Sequence, residues 1–313
     1  MENDVRNIPQ KLYVLGHPVA HSKSPVMYNA VYGKLGFPWE YRLMDCETPA
    51  EAKAFLAARD FLSINITTPY KPEALAAATA RAASAKLAHG ANILVKKGDA
   101  LIAFNTDGRG CVGYLERTGF SFDGAKVAIC GTGPTALAIL HAAAIAGASE
   151  VLLLSRDKER ACEVLDRYVD EFGTLAHATV DLQAVDGHRS FLTAYDETTF
   201  KFGSYTTSTQ AIAAADLVIN ATPLGMREGD PAPFDVSLFH EGQRAFDVVY
   251  AHGETAFAAG AKAAGCTFAD GGGMLVAQAV ATVQAVCDVS GIDCELSFDE
   301  LFEVMANAAG FNV

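Results

Sequence analysis

The stretch NITTPYK (65–71) follows the apolar run FLSI (61–64), so a strand ends in two threonines and a proline with Lys71 just beyond. A lysine at a loop mouth is most often solvated, its stem lying along the surface. The same ammonium is also a proton donor for an oxygen that turns anionic. Two other stretches decide between these readings. HSKSP (21–25) sets Ser22 and Ser24 at alternate positions near a helix start, where hydroxyl and amide donors suit a carboxylate. FNTDG (104–108) brings an Asn, a Thr and Asp107 just before a glycine. Each alone reads as turn or cap chemistry. Together with Lys71 they form a combination that turn chemistry does not require.

A second group of residues fits an anion. CGTGPTA (130–136) follows the apolar strand AKVAIC and opens a long helical pattern. Gly131 permits a tight turn, Gly133 lets backbone approach a pyrophosphate, and Ala136 is small enough for close helix–strand packing. Thr132, Pro134 and Thr135 complete the turn, and the helix amides face the anion. GxGxxA is weak by itself; its place between strand and helix gives it weight. At the end of the next strand stand Ser155, Arg156 and Asp157, where a terminal acid would select a free ribose 2′-hydroxyl. Arg156 favours a 2′-phosphate instead, and Arg160, four residues on, puts a second guanidinium on the same helix face. Asp157 opposes that phosphate or binds a ribose diol. NADP is the expected cofactor and NAD the alternative.

These groups need elements to hold them. KLYVLG, WEYRLMDC, FLSINIT, AKVAICG, EVLLLS, ADLVINATP and AFDVVYA read as strands, separated by helical patterns, which is the order of an α/β chain with parallel sheets. EALAAATARAASAKLA (73–88) reads as one alanine-rich helix, and ANILVKKGDALIAFN as a hairpin turning at residues 97–99. A boundary is expected within 107–124. The segment 183–209 breaks the rhythm, is polar and aromatic, and reads as a hairpin inserted at the surface.

Half of the 313 residues are hydrophobic, enough for two domains with sizeable cores, and the net charge is −13. An acidic surface repels phosphate backbones and anionic lipid, which argues against nucleic-acid and membrane partners. Seven cysteines without a CxxC pair suit free thiols in a reducing cytoplasm, and no cluster suggests a metal site. The start carries no apolar leader. The two long uncharged stretches, 131–149 and 271–288, read as buried helices.

Along the chain stand, in order, GHPVAHSKSP, NITTPYK, GAN, NTDGRG, GTGPTA, SRDKER, INATPLGM, VVYAHGET and ADGGGMLVAQA. With these motifs, from about Lys11 to the last helix, the chain closely resembles the shikimate dehydrogenase family. The resemblance implies an N-terminal α/β substrate domain (1–107 with 274–313) and a Rossmann-type NAD(P)-binding domain (108–273), with a cleft between. It implies that Ser22 and Ser24 hold the substrate's C1 carboxylate. Thr67, Asn92, Asp107 and Gln278 would grip its hydroxyls, with Tyr250 near the same cleft and Lys71 with Asp107 as the catalytic pair. Thr222 and Met226 in INATPLGM would face the nicotinamide, and Gly271 and Met274 would complete the cofactor contacts. A homodimer is compatible with the resemblance. Departures from the family pattern are Tyr28 for His, Ile93 for Thr after Asn92, Pro134 and Thr135 for small residues, and Asp157 for Thr.

The implied reaction is the reversible NADPH-dependent reduction of 3-dehydroshikimate to shikimate, in chorismate and aromatic amino acid biosynthesis. Free lysine titrates near ~10.4, so Lys71 as ammonium can supply the proton and, when neutral, take it back. Burial would lower that value while Asp107 would raise it. An NAD-dependent quinate/shikimate dehydrogenase is the alternative. A catalytically silent ligand-binding relative ranks below both, because Lys71 and Asp107 are both present.

Overall fold

Two sheets, each with its own helices, divide the chain into the units Met1–Gly110 with Leu275–Val313 and Cys111–Met274. The structure is a computed structural model and describes residues 5–176, 183–185, 188–192 and 198–311. In the first unit the order is β1 (Gln10–Gly16), α1 (Ser24–Lys34), β2 (Trp39–Asp45), α2 (Pro49–Ala58), β3 (Ser63–Ile66), α3 (Lys71–Ala77), β4 (Ala80–Arg81), α4 (Ala83–Leu87), β5 (Ile93–Lys97) and β6 (Ala100–Phe104). The chain leaves this unit along α5 (Asp107–Arg117). The second unit holds β7 (Lys126–Cys130), α6 (Pro134–Ile145), β8 (Glu150–Ser155), α7 (Lys158–Ala176), β9 (Gln183–Val185), β10 (His188–Leu192), β11 (Thr199–Ser204), α8 (Thr209–Ala213), β12 (Leu217–Asn220), β13 (Arg244–Asp247), α9 (Ala256–Ala263) and β14 (Thr267–Asp270). Helix α10 (Gly271–Ser290) carries the chain back to the first unit, where α11 (Phe298–Ala309) ends it.

The first sheet runs β2-β1-β3-β5-β6-β4. Strand β1 pairs in parallel with β2 and β3, and its residues 12–15 are all buried, as expected of a strand covered on both faces. Strands β5 and β6 form the antiparallel hairpin expected from sequence, turning at Gly98. The alanine-rich segment differs from its expectation: it is not one helix. Thr79 donates its amide to Leu101 O at 2.9 Å and its Oγ1 accepts from Leu101 N at 2.8 Å. Ala80 and Arg81 then pair beside Ile102 and Ala103. The sheet edge offers backbone partners that helix propensity, a few tenths of a kcal/mol per residue, does not outweigh.

The second sheet runs β14-β13-β12-β7-β8-β11-β10-β9. Its first six strands are parallel. Counted from β7, they take the order 6-5-4-1-2-3 of a doubly wound dinucleotide fold, and the direction of winding reverses between β7 and β12. The segment 183–209 is only partly the inserted hairpin expected from sequence. β9 and β10 are antiparallel additions, whereas TFKFGS is the sheet's own parallel strand beside β8, with Phe200 and Phe202 buried. Its alternating apolar residues face a core, so a surface hairpin is ruled out for it. Residues 186–187 and 193–197 of that segment lie outside the described residues. Helix α10 is long and apolar enough by composition to cross a membrane, and 72% of its most apolar window is buried within the structure.

Candidate active site

Lys71 is the first residue of α3, and Asp107 the first of α5. The chain brings them together across 36 residues: the Lys71 ammonium pairs with Asp107 Oδ2, with side chains 16% and 9% exposed. The Lys71 carbonyl accepts from Ala91 N at 3.0 Å, which fixes where α3 starts relative to Asn92. Asn92 Nδ2 donates to Asp107 Oδ1 at 2.8 Å and to Thr106 Oγ1 at 2.9 Å, and its Oδ1 accepts from Thr106 N at 2.8 Å. Both amide hydrogens of Asn92 are therefore engaged within the protein, and only a lone pair on its oxygen is left. Asn105 completes the turn by accepting from Asp107 N at 3.0 Å while donating to Gly90 O at 2.9 Å. The carboxylate held at such low exposure keeps its geometry because it also accepts from the neutral Asn92 amide.

The network extends further than the residues singled out from sequence. Thr106 Oγ1 lies 3.5 Å from Gln278 Oε1 and 3.3 Å from Thr282 Oγ1, one helical turn apart on α10. Asn65 Nδ2 donates to Thr282 Oγ1 at 3.3 Å, and its Oδ1 accepts from Tyr41 at 2.9 Å. Asn65, Thr106 and Thr282 are buried polar residues joining strands β2 and β3 to α5 and α10. Sequence carried a weak signal for each. Asn65 and Thr106 lie inside NITTPYK and NTDG, and Thr282 is a hydroxyl in an apolar helix, four residues after Gln278.

Ser22 Oγ accepts from Ser24 N at 3.2 Å, and the buried Ser24 hydroxyl lies against that of Tyr41. Burial pushes the Tyr41 and Tyr28 phenols well above their ordinary range, and their rings stack at 4.3 Å. Thr67 N donates to Leu15 O at 2.9 Å, which places its side chain against Gly16. Ile93 is fully buried in β5 opposite Asn65 in β3. Among the described residues, no group of three His, Cys, Asp or Glu side chains could hold a metal ion.

In the second unit the glycine turn leaves β7 at the reversal point. Gly131 has φ +115°, and a Cβ there would stand 2.8 Å from Ala221 O, so only glycine fits. Gly133 caps α6, with Pro134 at the first helical position, and apart from its own chain neighbours no protein atom lies within 4 Å of where its Cβ would be. That open cradle at a helix amino end, with Ala136 fully buried behind it, fits a dinucleotide pyrophosphate. At the end of β8, Ser155 is buried and Arg156 exposed. Asp157 Oδ1 accepts from Glu159 N at 2.8 Å and Arg160 N at 3.4 Å, so its carboxylate caps α7. Arg160 is exposed on α7, with its Nη1 3.2 Å from Glu163 Oε2. An acid one turn along the same helix competes for that cation.

The loop 221–226 after β12 carries Thr222, whose hydroxyl donates to Asn220 Oδ1 at 2.6 Å, and ends with Met226, half exposed. Tyr250 lies in the same unit, and burial raises its phenol. Gly271 packs so closely on Val248 that a Cβ would sit 2.1 Å from its carbonyl oxygen, and Met274 is buried. Packing within the unit therefore accounts for Gly271.

A sheet in doubly wound order with a glycine turn at its reversal point, joined to an α/β unit carrying a buried lysine–aspartate pair, defines a two-unit α/β protein built on a dinucleotide-binding fold. The profile described as "Shikimate dehydrogenase substrate binding domain" matches residues 14–94. The NADP(+) shikimate dehydrogenase of Moorella thermoacetica is 34% identical over 271 residues, 86% of this chain and 84% of its own. The chain belongs to the shikimate dehydrogenase family. Its fold matches the shikimate 5-dehydrogenase of Thermus thermophilus, solved with NADP(H) and shikimate (24% identity, TM-score 0.73, 96% of this chain and 99% of that one). It equally matches the quinate dehydrogenase of Corynebacterium glutamicum, solved with NAD (25% identity, TM-score 0.73, 96% and 100%).

Proposed function

We propose that this chain is an NADP-dependent shikimate dehydrogenase that reversibly reduces the ring ketone of 3-dehydroshikimate in the cytoplasm, on the way to chorismate and the aromatic amino acids. The observation that carries the reading is the Lys71–Asp107 pair, tied by Asn92 and Thr106 into one network. It is supported by relatives named NADP(+) shikimate dehydrogenases over most of the chain.

NADPH, held by the turn 131–136 and Arg156, would supply a hydride to the carbonyl carbon. Lys71 Nζ donates the proton that the carbonyl oxygen needs as charge builds on it, and its positive charge lowers the energy of that developing alkoxide. Asp107 aims the ammonium and accepts from a neighbouring substrate hydroxyl. Asn92 orients Asp107 and accepts a hydroxyl at its remaining lone pair. Thr67 and Gln278 hold further hydroxyls, Tyr250 adds a phenol, and Ser22 and Ser24 receive the carboxylate. In the nucleotide unit the turn 131–136 receives the pyrophosphate and Arg156 the 2′-phosphate, with Ser155 beside it. Thr222 and Met226 border the nicotinamide. Asp157, committed to capping α7, leaves Arg156 to set nucleotide choice.

Purified protein with shikimate and NADP⁺ is expected to form reduced cofactor, seen by absorbance. Absence of turnover with either nicotinamide cofactor across shikimate, quinate and related polyols would reject the reading. A second reading, an NAD-dependent quinate/shikimate dehydrogenase, is favoured by one feature: Glu163 lies 3.2 Å from Arg160 and competes with a phosphate for the second guanidinium. Catalytic efficiencies with the two cofactors, measured side by side, separate the readings.

A further inference from the structure

Asp247, at the carboxyl end of β13, is 1% exposed, yet its carboxylate is surrounded by donors. Oδ1 accepts from Asn220 Nδ2 and from Val249 N, each at 3.0 Å, and Oδ2 accepts from Thr255 Oγ1 at 2.6 Å. Burial pushes this carboxyl above its ordinary value, so its place in the core has a cost that some other role must offset. A carboxylate can only accept, so Asn220 must turn its NH₂ group toward Asp247 and its oxygen the other way. That sense is what the following loop requires. Asn220 Oδ1 accepts from Thr222 N at 3.1 Å and from Thr222 Oγ1, while Nδ2 also donates to Leu224 O at 3.0 Å. Thr222 Oγ1 accepts from Leu224 N at 3.1 Å. Thr255, the third partner of Asp247, packs its methyl on Gly225, where a Cβ would come within 2.6 Å. Both ends of the loop 221–226 thus trace back to one carboxylate. The loop starts at the reversal point, with Ala221 N bonded to Cys130 O at 2.9 Å and its carbonyl against Gly131.

We propose that Asp247 is a positioning residue for the nicotinamide half of the cofactor: by fixing the donor–acceptor sense of Asn220 and the seat of Thr255, it holds the loop 221–226 at the crevice beside the glycine turn. The inference rests on the NADP reading of this unit. Asp247 touches no reacting atom. Its removal separates the two halves of the dinucleotide, because its hydrogen bonds run to Asn220, Val249 and Thr255, whereas the adenosine end is held by the turn and by Arg156.

The test titrates full-length protein with NADPH and, separately, with adenosine 2′,5′-bisphosphate, and measures kcat for shikimate oxidation. For Asp247→Ala, NADPH affinity or kcat is expected to fall at least about 10-fold while adenosine 2′,5′-bisphosphate binds within about twofold of wild type. Asp247→Asn is expected to recover to within about threefold, since an amide oxygen still accepts from Asn220 and Val249. Wild-type kcat and NADPH affinity in Asp247→Ala overturns the inference. So does an equal loss of both ligands, which would assign Asp247 to general stability. Should Asp247→Ala not fold, Thr222→Val breaks the same chain of bonds one step later, and the same split, of about threefold, is expected. Wild-type behaviour there overturns the inference in turn. Wild-type protein that binds neither ligand overturns the nucleotide reading itself, and this inference with it.

Discussion

The Lys71 cluster and the glycine turn are built on opposite plans. Around Lys71 the groups that would meet a ligand are side chains, buried and bonded to one another from α3, α5, β3 and α10. At the turn they are backbone: an open stretch of chain at a helix amino end, with exposed guanidiniums beyond it. The first plan gives up conformational freedom in advance and places charges to within a hydrogen bond, as proton transfer requires. The second leaves room, as a large dinucleotide requires. Side-chain changes should therefore damage chemistry in the first region, whereas backbone changes should damage binding in the second.

The largest expected effect breaks the first plan at its centre. Asp107→Ala leaves the ammonium without its partner and removes a hydroxyl acceptor, so kcat/KM for shikimate is expected to fall about 10³-fold. NADP⁺ affinity is expected to stay within a few-fold, measured by titration. A next effect sharpens the contrast through pH. His141 on α6 faces Tyr168 of α7, and burial lowers its imidazole to about 4. Folding excludes that proton, so the stability it contributes is complete above about 6.5 and is lost as pH falls through about 4, up to roughly 3 kcal/mol in all. Denaturant unfolding between pH 7 and 4 is expected to show this slope, and His141→Gln to flatten it. Gly131→Ala puts a Cβ against Ala221 O at a positive φ. The cost of such strain, about 1–3 kcal/mol, is expected to appear as a higher KM for NADP⁺ with kcat for bound cofactor largely kept. The smallest effect is Arg156→Gln, expected to shift the ratio of NADP⁺ to NAD⁺ efficiencies about tenfold toward NAD⁺, one charge-assisted bond's worth.

What sequence could reveal follows the same contrast. Backbone devices are written in consecutive residues: CGTGPTA between strand and helix and the KKGDA hairpin turn both lie in short windows. Side-chain networks are not. Tyr41, Asn65, Thr106 and Thr282 meet only because four elements pack together, and the weak signals of the last three, taken singly, do not reveal the network. Asp247 reads in sequence like any acid ending a strand, and only Asn220 and Thr255 around it mark it out. The alanine-rich segment misled for a related reason. Its helix propensity is local, while the sheet edge that interrupts it is formed by residues 101–103, some twenty positions away.

The central claim is that one ammonium moves the proton in a nicotinamide-coupled oxidation of a ring hydroxyl. Its most direct test compares wild type with Lys71→Ala, measuring kcat with saturating shikimate and NADP⁺ alongside the dissociation constant of shikimate. The account expects kcat to drop by about 10²–10⁴ while shikimate binding changes only a few-fold. A variant that turns over at the wild-type rate, or one whose whole loss lies in shikimate binding, would contradict it.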